Sequence, residues 1–244
     1  MDPIKEFNEE KIERIRSYSE DSKLLQATKK FHQESTRVKY TYNFTWLGRP
    51  IIQYPQDILS LQEIIWEVKP DLIIETGIAH GGSIIFSSSM MELLGGDGEV
   101  IGIDIDIRNH NKIEIEKHPM FKRITMYEGD STSKDIAEKV YSIARKHNKI
   151  LVCLDSNHTH EHVLKELELY APLVNIGSYC IVFDTSIDDY PKTMFPDRPW
   201  GPGNNPKTAV HEYLREHDEF IIDKYIENKL LITEAPSGYL RRVK

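Results

Sequence analysis

The sequence predicts an α/β fold in which a mostly parallel sheet carries helices on both faces. Short apolar runs alternate with longer amphipathic segments between about residues 57 and 184, the order of strands and helices in a doubly wound sheet. The apolar runs are continuous rather than alternating, as expected for parallel strands covered by helices on both sides. At 244 residues the chain has room for one such domain and an appendage.

Two segments precede the predicted sheet. Residues 4–34 are charged and carry apolar residues at near-helical spacing, which predicts helices. Residues 40–54 are rich in aromatic residues and contain Gly48 and Pro50, which predicts an ordered loop. We therefore expect a helical N-terminal appendage over residues 1–45 and a main domain over residues 46–244. The N-terminal helices offer a packing surface, so a homo-oligomer is one expectation.

The main domain is predicted to contain five consecutive parallel strands with helices between them. The strands cover residues 71–75, 99–104, 123–127, 150–155 and 179–184. The helices cover residues 57–68, 83–94, 134–146 and 161–170, and a short helix precedes the third strand. A loop rich in Pro, Gly and Asp follows over residues 185–206, and then a helix over residues 207–217.

The C-terminal segment predicts an antiparallel hairpin. Its strands would cover residues 220–226 and 229–233, separated only by Glu227 and Asn228, a spacing that requires a tight turn. A parallel sheet that ends in an antiparallel hairpin is typical of methyltransferases rather than dehydrogenases. The predicted fold is therefore a Rossmann-like class I methyltransferase fold with a mostly parallel seven-stranded sheet, a C-terminal antiparallel hairpin and helices on both faces.

Composition narrows the class of partner and the compartment. A net charge of −8 disfavours nucleic acid, which is bound through clustered Lys and Arg, and favours a small-molecule or glycan substrate. The two cysteines, Cys153 and Cys180, lie in apolar runs, which indicates a reducing cytoplasm rather than a disulfide framework. The N-terminus has no apolar signal core, and no window approaches the roughly 18 apolar residues of a membrane span. We expect a soluble cytoplasmic protein without a transmembrane segment.

A glycine-bearing loop joins the first predicted strand to its helix. Gly77, Gly81 and Ser83 follow Glu75, and such glycines let a backbone pass close to a ligand at a helix N-terminus. The spacing E-x-G-x-x-x-G differs from the dinucleotide pattern, and Glu75 would repel a pyrophosphate but suits the cationic amino group of a methionine moiety. The alternative is an ordinary glycine-bearing turn. His80, inside the loop, is expected to pack beside the cofactor.

Two further acidic residues follow neighbouring strands. Asp104 ends the second strand, where a carboxylate accepts hydrogen bonds from ribose hydroxyls, and Asp106 is a second choice for that role. Asp130 follows the third strand, where its side chain suits an adenine amino group. Acidic strand ends on one sheet edge suit a cationic sulfonium better than an anionic dinucleotide. The sequence therefore predicts S-adenosylmethionine as cofactor, bound by Glu75, Gly77, Gly81, Ser83, Asp104 and Asp130.

A second acidic pair predicts a metal site. Asp155 and Asp184 end the fourth and fifth strands, so both carboxylates are expected in one crevice. Two such groups hold Mg²⁺ or another divalent cation, which would orient the acceptor hydroxyl and lower its pKa. Asp155 is thus a candidate catalytic, cofactor-binding and metal-binding residue. The alternative is that one aspartate contacts the cofactor and the other caps a loop.

Histidines follow the fourth strand. His158 is nearest the strand end and is the candidate general base, since a neutral imidazole accepts a proton near pH 7. The alternative is that it only caps or positions the loop. His160 and His162 do not share a helix face, which argues against a zinc site built from all three. Trp200 and Arg198 in the long loop are expected either to close over substrate or to form plain surface.

At these residues the sequence resembles the cephalosporin hydroxylase/rhamnosyl O-methyltransferase family. The matching blocks are WLGRPIIQYPQDILSLQEIIWEVKPDLIIETGIAHGGS, VIGIDID, EGDS, LDSNHTHEHVLKELELYAPLV, GSYCIVFDT, NPKTAVHEYL and SGYLRR. The resemblance implies cofactor roles for Glu75, Gly77, Ser83, Asp104 and Asp130, and metal roles for Asp155 and Asp184.

The chain departs from the family pattern at two positions. Some relatives carry two adjacent acids after the fifth strand, whereas here Phe183 precedes Asp184 and Thr185 follows it, which leaves fewer carboxylate ligands. Asn157 stands where a relative has Asp. The resemblance implies a metal-assisted, S-adenosylmethionine-dependent O-methyltransferase acting on a sugar hydroxyl, in a surface polysaccharide or a glycosylated natural product. Two alternatives stay open: an oxygen-dependent hydroxylase, as the family name suggests, and a non-catalytic protein that binds S-adenosylmethionine.

Overall fold

The fold is taken from a computed structural model that describes residues 2–244. In these residues the α-helices are α1 (Pro3–Tyr18), α2 (Ser22–Arg37), α3 (Pro55–Val68), α4 (Gly82–Leu94), α5 (Asn109–Glu116), α6 (Lys134–Ala144), α7 (His160–Tyr170), α8 (Pro206–Glu216) and α9 (Lys224–Leu230). The strands are β1 (Phe44–Trp46), β2 (Arg49–Ile51), β3 (Leu72–Thr76), β4 (Glu99–Asp104), β5 (Ile124–Glu128), β6 (Ile150–Leu154), β7 (Tyr179–Val182), β8 (Phe220–Ile222) and β9 (Tyr239–Arg242).

Seven strands form one sheet in the order β5-β4-β3-β6-β7-β9-β8. The first five are parallel, and β9 runs antiparallel to both β7 and β8. The chain moves outward from β3 to β5 and then returns to place β6 on the other side of β3. This reversal opens a crevice at the carboxyl ends of β3 and β6. The predicted Rossmann-like class I fold is confirmed.

The strands are apolar on both faces because helices cover the sheet on both sides. Ile73 of β3 points into a core formed with α3 and α4. Its neighbours Leu72 and Ile74 point into the opposite core, which is formed with α6, α7 and α8. Side chains alternate across a strand, so one short apolar run serves two hydrophobic cores.

Local capping explains where the N-terminal helices divide. The side chain of Asp21 accepts hydrogen bonds from the backbone N–H groups of Lys23 and Leu24, at 3.1 and 3.0 Å, and so begins α2. Only three residues separate α1 from α2. Helix α2 then runs to Arg37 and leads through a 3₁₀ turn into β1.

Two predicted elements were wrong. Residues 220–226 and 229–233 do not form the two strands of a tight hairpin, because residues 224–230 form helix α9 and the last strand is Tyr239–Arg242. The antiparallel pair is present, as β8 and β9, but a helix and a loop connect it. The predicted loop at 40–54 instead contains the hairpin of β1 and β2.

No helix within residues 2–244 is both long enough and apolar enough to cross a membrane. Cys153 and Cys180 are buried, free thiols on the neighbouring strands β6 and β7. Burial raises the pKa of both thiols. Both cysteines are therefore part of the apolar core, as their positions in the sequence indicated.

Candidate active site

The glycine loop lies directly against the end of β6. Gly77 has φ +90°, and a Cβ atom at this position would lie 2.0 Å from the backbone carbonyl oxygen of Asp155. Its N–H donates to the carbonyl of Ile103 at 2.7 Å. Gly81 has φ +84° and caps the N-terminus of α4. The loop thus takes a left-handed path that other residues adopt at a cost, and it packs too tightly for a side chain at 77.

The β1–β2 hairpin holds this loop from outside. The guanidinium of Arg49 donates to the backbone carbonyl of His80, from Nε at 3.0 Å and from Nη2 at 2.6 Å. The same group donates to Oδ1 of Asn111 on α5 at 2.9 Å. One side chain therefore joins the hairpin, the glycine loop and α5.

Glu75 lies beneath the loop rather than on its surface. Its side chain is buried with 3% exposure and accepts a hydrogen bond from the hydroxyl of Ser83 at the start of α4. Burial raises the pKa of Glu75 to about 7, although the hydrogen bond from Ser83 lowers it. The two residues that the sequence placed at the ends of the loop are therefore in direct contact.

Asp104 and Asp130 lie at the same edge of the sheet. One carboxylate oxygen of Asp104 accepts from the backbone N–H groups of Ile78 and Ala79, at 2.8 and 3.0 Å. The exposed Asp130 accepts from the N–H and hydroxyl of Thr132, both at 2.8 Å. These bonds contribute to lowering the pKa of Asp130, led by the backbone hydrogen bond. Both side chains are hydrogen-bond acceptors at this edge, and Asp104 contacts the glycine loop directly.

Asp106, the second choice to Asp104, is exposed and follows the strand by two residues. Its backbone N–H donates to the other oxygen of Asp104 at 3.1 Å. Asp104 therefore organises the turn after β4 as well as the glycine loop, whereas the Asp106 side chain makes no such contact among the described residues.

The predicted pair of aspartates comes together with a histidine. Asp155, His158 and Asp184 each offer one ligand atom, and these three atoms lie within 4.8 Å of one another. Nδ1 of His158 is 3.3 Å from Oδ2 of Asp184. Asp184 has φ +56°, an unusual backbone conformation for a residue other than glycine. The cluster lies beyond the ends of β6 and β7, next to Gly77.

The charge of Asp184 disfavours a second charge on the neighbouring Asp155. Burial in the crevice and the charge of Asp184 raise the pKa of Asp155 well above its usual range. Burial also raises the pKa of Asp184, and His158 opposes that rise. Adjacent carboxylates with raised pKa values, next to an imidazole, are a suitable donor set for a divalent cation.

The other two histidines point elsewhere. Nδ1 of His160 is 2.8 Å from the hydroxyl of Thr208 on α8. Nε2 of His162 is 3.0 Å from the hydroxyl of Ser131, and Ser131 donates at 2.6 Å to the buried carboxylate of Glu166. The three histidines thus face three different neighbours, and only His158 faces the crevice.

The long loop reaches the cluster through Trp200. Its ring lies 5.2 Å from the ring of His158, nearly perpendicular to it. The guanidinium of Arg198 lies 5.7 Å from the Trp200 ring on a cation–π contact. The structure therefore places Trp200 beside the crevice that contains His158.

The sequence did not indicate the acidic residue Glu234. It follows no strand, yet its charge raises the pKa of both Asp155 and Asp184. It is placed by Asp57, which has no exposed surface and accepts from the backbone N–H of Glu234 at 2.9 Å and from the hydroxyl of Thr233. No local pattern marks Glu234, because its position depends on a contact with α3.

Comparison with known proteins identifies the family. The model of the rhamnosyl O-methyltransferase/CmcI family matches residues 37–243. The rhamnosyl O-methyltransferase of Mycobacterium tuberculosis (strain ATCC 25618 / H37Rv) is 32% identical over 203 residues, covering 81% of this chain and 78% of that protein. The enzyme of the same name from Mycobacterium leprae is 31% identical over 200 residues, covering 81% of this chain and 82% of its own.

Solved structures support the fold. A structure of CmcI with Mg and SAM has a TM-score of 0.58 at 21% identity and covers 83% of this chain and 78% of that chain. A TDP-rhamnose 3'-O-methyltransferase from calicheamicin biosynthesis has a TM-score of 0.54 at 15% identity, covering 91% and 94%. The expected enzyme class, an O-methyltransferase, is confirmed by the relatives. With a family match over residues 37–243, the chain belongs to the rhamnosyl O-methyltransferase/CmcI family.

Proposed function

We propose that this protein transfers the methyl group of S-adenosylmethionine to a hydroxyl of a sugar, with a divalent cation held by Asp155 and Asp184. The observation that carries the proposal is the cluster of Asp155, His158 and Asp184 within 4.8 Å, directly beside the glycine loop. The curated relatives are named rhamnosyl O-methyltransferases, which supports a rhamnose-like acceptor. The similar CmcI structure holds Mg and SAM, the same pair proposed here.

The cofactor would lie over the glycine loop. Gly77 and Gly81 let the backbone approach it, and Glu75 with Ser83 fixes the start of α4 beneath its methionine part. Asp104 would accept hydrogen bonds from the ribose hydroxyls in place of a loop amide, and Asp130 would accept from the adenine amino group. Asp155 closes the site against Gly77.

The donor set fits a hard divalent cation. Asp155 and Asp184 supply carboxylate oxygens, the ligands that Mg²⁺ prefers, and a cation would offset the repulsion that raises the pKa of Asp155. A bound Mg²⁺ supplies Lewis acidity toward the acceptor hydroxyl. Phe183 precedes Asp184 and Thr185 follows it, so neither sequence neighbour supplies a further carboxylate.

His158 is the proposed general base. With Nδ1 directed at the Asp184 carboxylate 3.3 Å away, the proton resides on Nδ1 and Nε2 is the basic atom. As the acceptor oxygen attacks, the oxygen–carbon bond forms and the carbon–sulfur bond breaks. The sulfur keeps the electron pair and leaves in S-adenosylhomocysteine, while the hydroxyl proton passes to Nε2. Alignment of oxygen, carbon and sulfur supplies much of the acceleration.

The acceptor is proposed to be part of a surface polysaccharide or a glycosylated natural product. The acidic chain argues against nucleic acid as the acceptor. The structurally similar TDP-rhamnose 3'-O-methyltransferase is named for a nucleotide sugar. A nucleotide-linked sugar should therefore be among the acceptors that are tested.

Two measurements test this function. Calorimetry with S-adenosylhomocysteine should give one binding site per chain. Mass spectrometry across a panel of rhamnosides, nucleotide-linked rhamnose and other sugars should detect the mass of one added methyl group, and a chelator should abolish the gain. A protein that binds neither S-adenosylmethionine nor S-adenosylhomocysteine would contradict the cofactor, and unchanged turnover with chelator would contradict the cation.

A further inference from the structure

Helix α2 brings a histidine against the carboxylate of Glu234. Nε2 of His32 is 3.7 Å from Oε2 of Glu234, and the two side chains are 13% and 15% exposed. The His32 ring lies between the rings of Tyr54 and Tyr190, at 5.2 and 5.4 Å. The hydroxyl of Tyr190 is 3.1 Å from Nε2 of His32. An imidazole and a carboxylate thus meet in a recess with aromatic sides.

This pair lies next to the proposed metal cluster. The hydroxyl of Ser186, two residues after Asp184, donates to the same Oε2 atom of Glu234. The backbone N–H of Ser186 donates to the Glu234 carbonyl at 3.2 Å. The segment that carries Asp184 is therefore bonded directly to the segment that carries Glu234.

An aromatic wall joins the two polar groups on their other side. It starts at Trp200, 5.2 Å from the ring of His158, and continues through Phe195 at 4.8 Å from Trp200. Tyr190 follows at 5.9 Å from Phe195 and contacts His32. Phe195 and Trp200 are partly exposed, so they present ring surface to a ligand.

The chemistry of this recess matches a sugar ring. Aromatic faces pack against the apolar C–H surface of a pyranose, while a few convergent polar groups bond its hydroxyls. The carboxylate of Glu234 accepts from a hydroxyl, and the imidazole of His32 donates to one or accepts from one. The polar groups at the two ends of the wall would contact different hydroxyls of one ring.

We propose that His32 and Glu234 form the acceptor subsite, where they bind a sugar hydroxyl other than the one that is methylated, with Phe195 and Trp200 against the ring. The inference rests on the proposed function, since it assigns the sugar side of the same site. It makes helix α2 part of the active site. The competing explanation is that the His32 cluster only anchors α2 to the main domain.

The test uses methyl α-L-rhamnopyranoside and its monodeoxy analogues with the full-length protein. His32→Gln should weaken binding of the rhamnoside to protein loaded with S-adenosylhomocysteine by about tenfold, the effect of losing one hydrogen bond to a charged pair. Affinity for S-adenosylhomocysteine should stay within about twofold. For the one deoxy analogue that lacks the recognised hydroxyl, the variant and the wild type should bind alike.

A matched histidine provides the control. His147 is 12% exposed and its Nε2 lies 3.0 Å from the carboxylate of Glu99, at the start of β4 and so at the opposite end of the sheet. His147→Gln should change neither affinity. Glu234→Gln is the second variant at the subsite and should show the same dependence on one hydroxyl, which keeps the test decisive if His32→Gln folds poorly.

The outcomes separate the two proposals. Equal rhamnoside affinity for His32→Gln, Glu234→Gln and wild type, or an equal loss for every deoxy analogue, would overturn the subsite and favour the anchoring role. A wild type that binds S-adenosylhomocysteine but no rhamnoside would overturn the sugar subsite while leaving the cofactor site intact. A wild type that binds no S-adenosylhomocysteine would overturn the proposed function itself.

Discussion

Nδ1 of His158 lies 3.3 Å from Oδ2 of Asp184, and the ring of Trp200 packs across the same imidazole. The carboxylate fixes which nitrogen carries the proton, and the indole restricts rotation of the ring. A histidine held in this way would offer one defined basic atom, Nε2, as the proposed role of general base requires.

Replacing the base should slow chemistry without affecting cofactor binding. His158→Gln is expected to lower kcat by about a hundredfold or more, the usual contribution of a general base. The control is His160→Gln, since His160 bonds to Thr208 instead and should leave kcat unchanged. Steady-state methylation of the rhamnoside and calorimetry with S-adenosylhomocysteine measure the two effects. Similar kcat values for the two variants would exclude His158 as the base.

Asp184→Asn should weaken binding of the divalent cation. Losing one of two carboxylate ligands is expected to reduce activity by roughly a hundredfold and to raise the Mg²⁺ concentration needed for half-maximal rate. Asp189→Asn is the control, because Asp189 pairs with Lys207 at the surface. Titration of activity with Mg²⁺ after chelator treatment measures the shift. An unchanged Mg²⁺ requirement in Asp184→Asn would contradict the proposed ligand.

The contact between Gly77 and Asp155 predicts a large penalty for a methyl group. Gly77→Ala should lower the unfolding free energy by roughly 2–4 kcal/mol, because the left-handed backbone is strained and the new methyl group overlaps the Asp155 carbonyl. Binding of the cofactor should no longer be measurable. Gly177→Ala isolates the strain, since Gly177 has φ +83° and its added methyl group would meet no atom within 4 Å. Urea denaturation measures the unfolding free energy of both variants and of the wild type. Equal losses in the two variants would contradict the role of the overlap.

The buried Glu75 should make stability depend on pH in a defined window. Its pKa is about 7 in the folded protein against 4.5 ordinarily, so between these values the folded state keeps a proton that the unfolded state releases. Its favourable contribution is complete below about pH 4.5 and is lost as pH rises through 7. Glu75→Gln should therefore match the wild type near pH 4.5 and exceed it by roughly 3 kcal/mol at pH 8.

Urea denaturation of both proteins from pH 5 to pH 8 tests this window. The control is Glu128→Gln, at the exposed end of β5. Its unfolding free energy should change with pH in the same way as that of the wild type. A difference between Glu75→Gln and wild type that stays constant with pH would show that Glu75 does not keep its proton in the folded state.

Asp57 should position the acceptor subsite through its hydrogen bond to the backbone of Glu234. It accepts from the hydroxyls of Thr233 and Tyr239 and from the N–H of Glu234, so Asp57→Ala leaves three donors unpaired, of which the two hydroxyls are buried. We expect a loss of roughly 3–5 kcal/mol in unfolding free energy and a higher KM for the rhamnoside. Asp71→Ala removes an acceptor of two backbone N–H groups at the other end of the sheet. Asp71→Ala should lower the unfolding free energy but leave the KM for the rhamnoside unchanged. A rise in KM in both variants would contradict a specific connection between Asp57 and the acceptor subsite.

The strand ends were predictable because parallel strands are short apolar runs with a polar residue at the carboxyl end. Residues 99–104 were predicted with the observed bounds, and Asp104, Asp155 and Asp184 lie at one sheet edge as the alternation required. The antiparallel C-terminal pair was predicted correctly, but the bounds of its strands were wrong. Apolar residues such as Ile226 and Leu230 are four apart, a spacing that suits a helix face, and the structure forms α9 there.

The acceptor subsite could not be predicted from local patterns in the sequence. His32 and Glu234 are about two hundred residues apart, and they meet only because side chains of α2 bond to Tyr54 and Tyr190. Asp57 in turn fixes the segment that carries Glu234. Neither residue ends a strand or belongs to a spaced motif. Periodicity describes one element at a time, whereas this pair depends on packing between elements.

The left-handed backbone at Asp184 sets stability against activity at a single position. A β-carbon at φ +56° costs roughly 1 kcal/mol, and the Asp184 carboxylate also repels a charge on the neighbouring Asp155. Glycine at this position would relax both the backbone and the repulsion. Selection for thermal stability alone would therefore favour glycine here, and an aspartate at this position is expected if its carboxylate serves the proposed cation site.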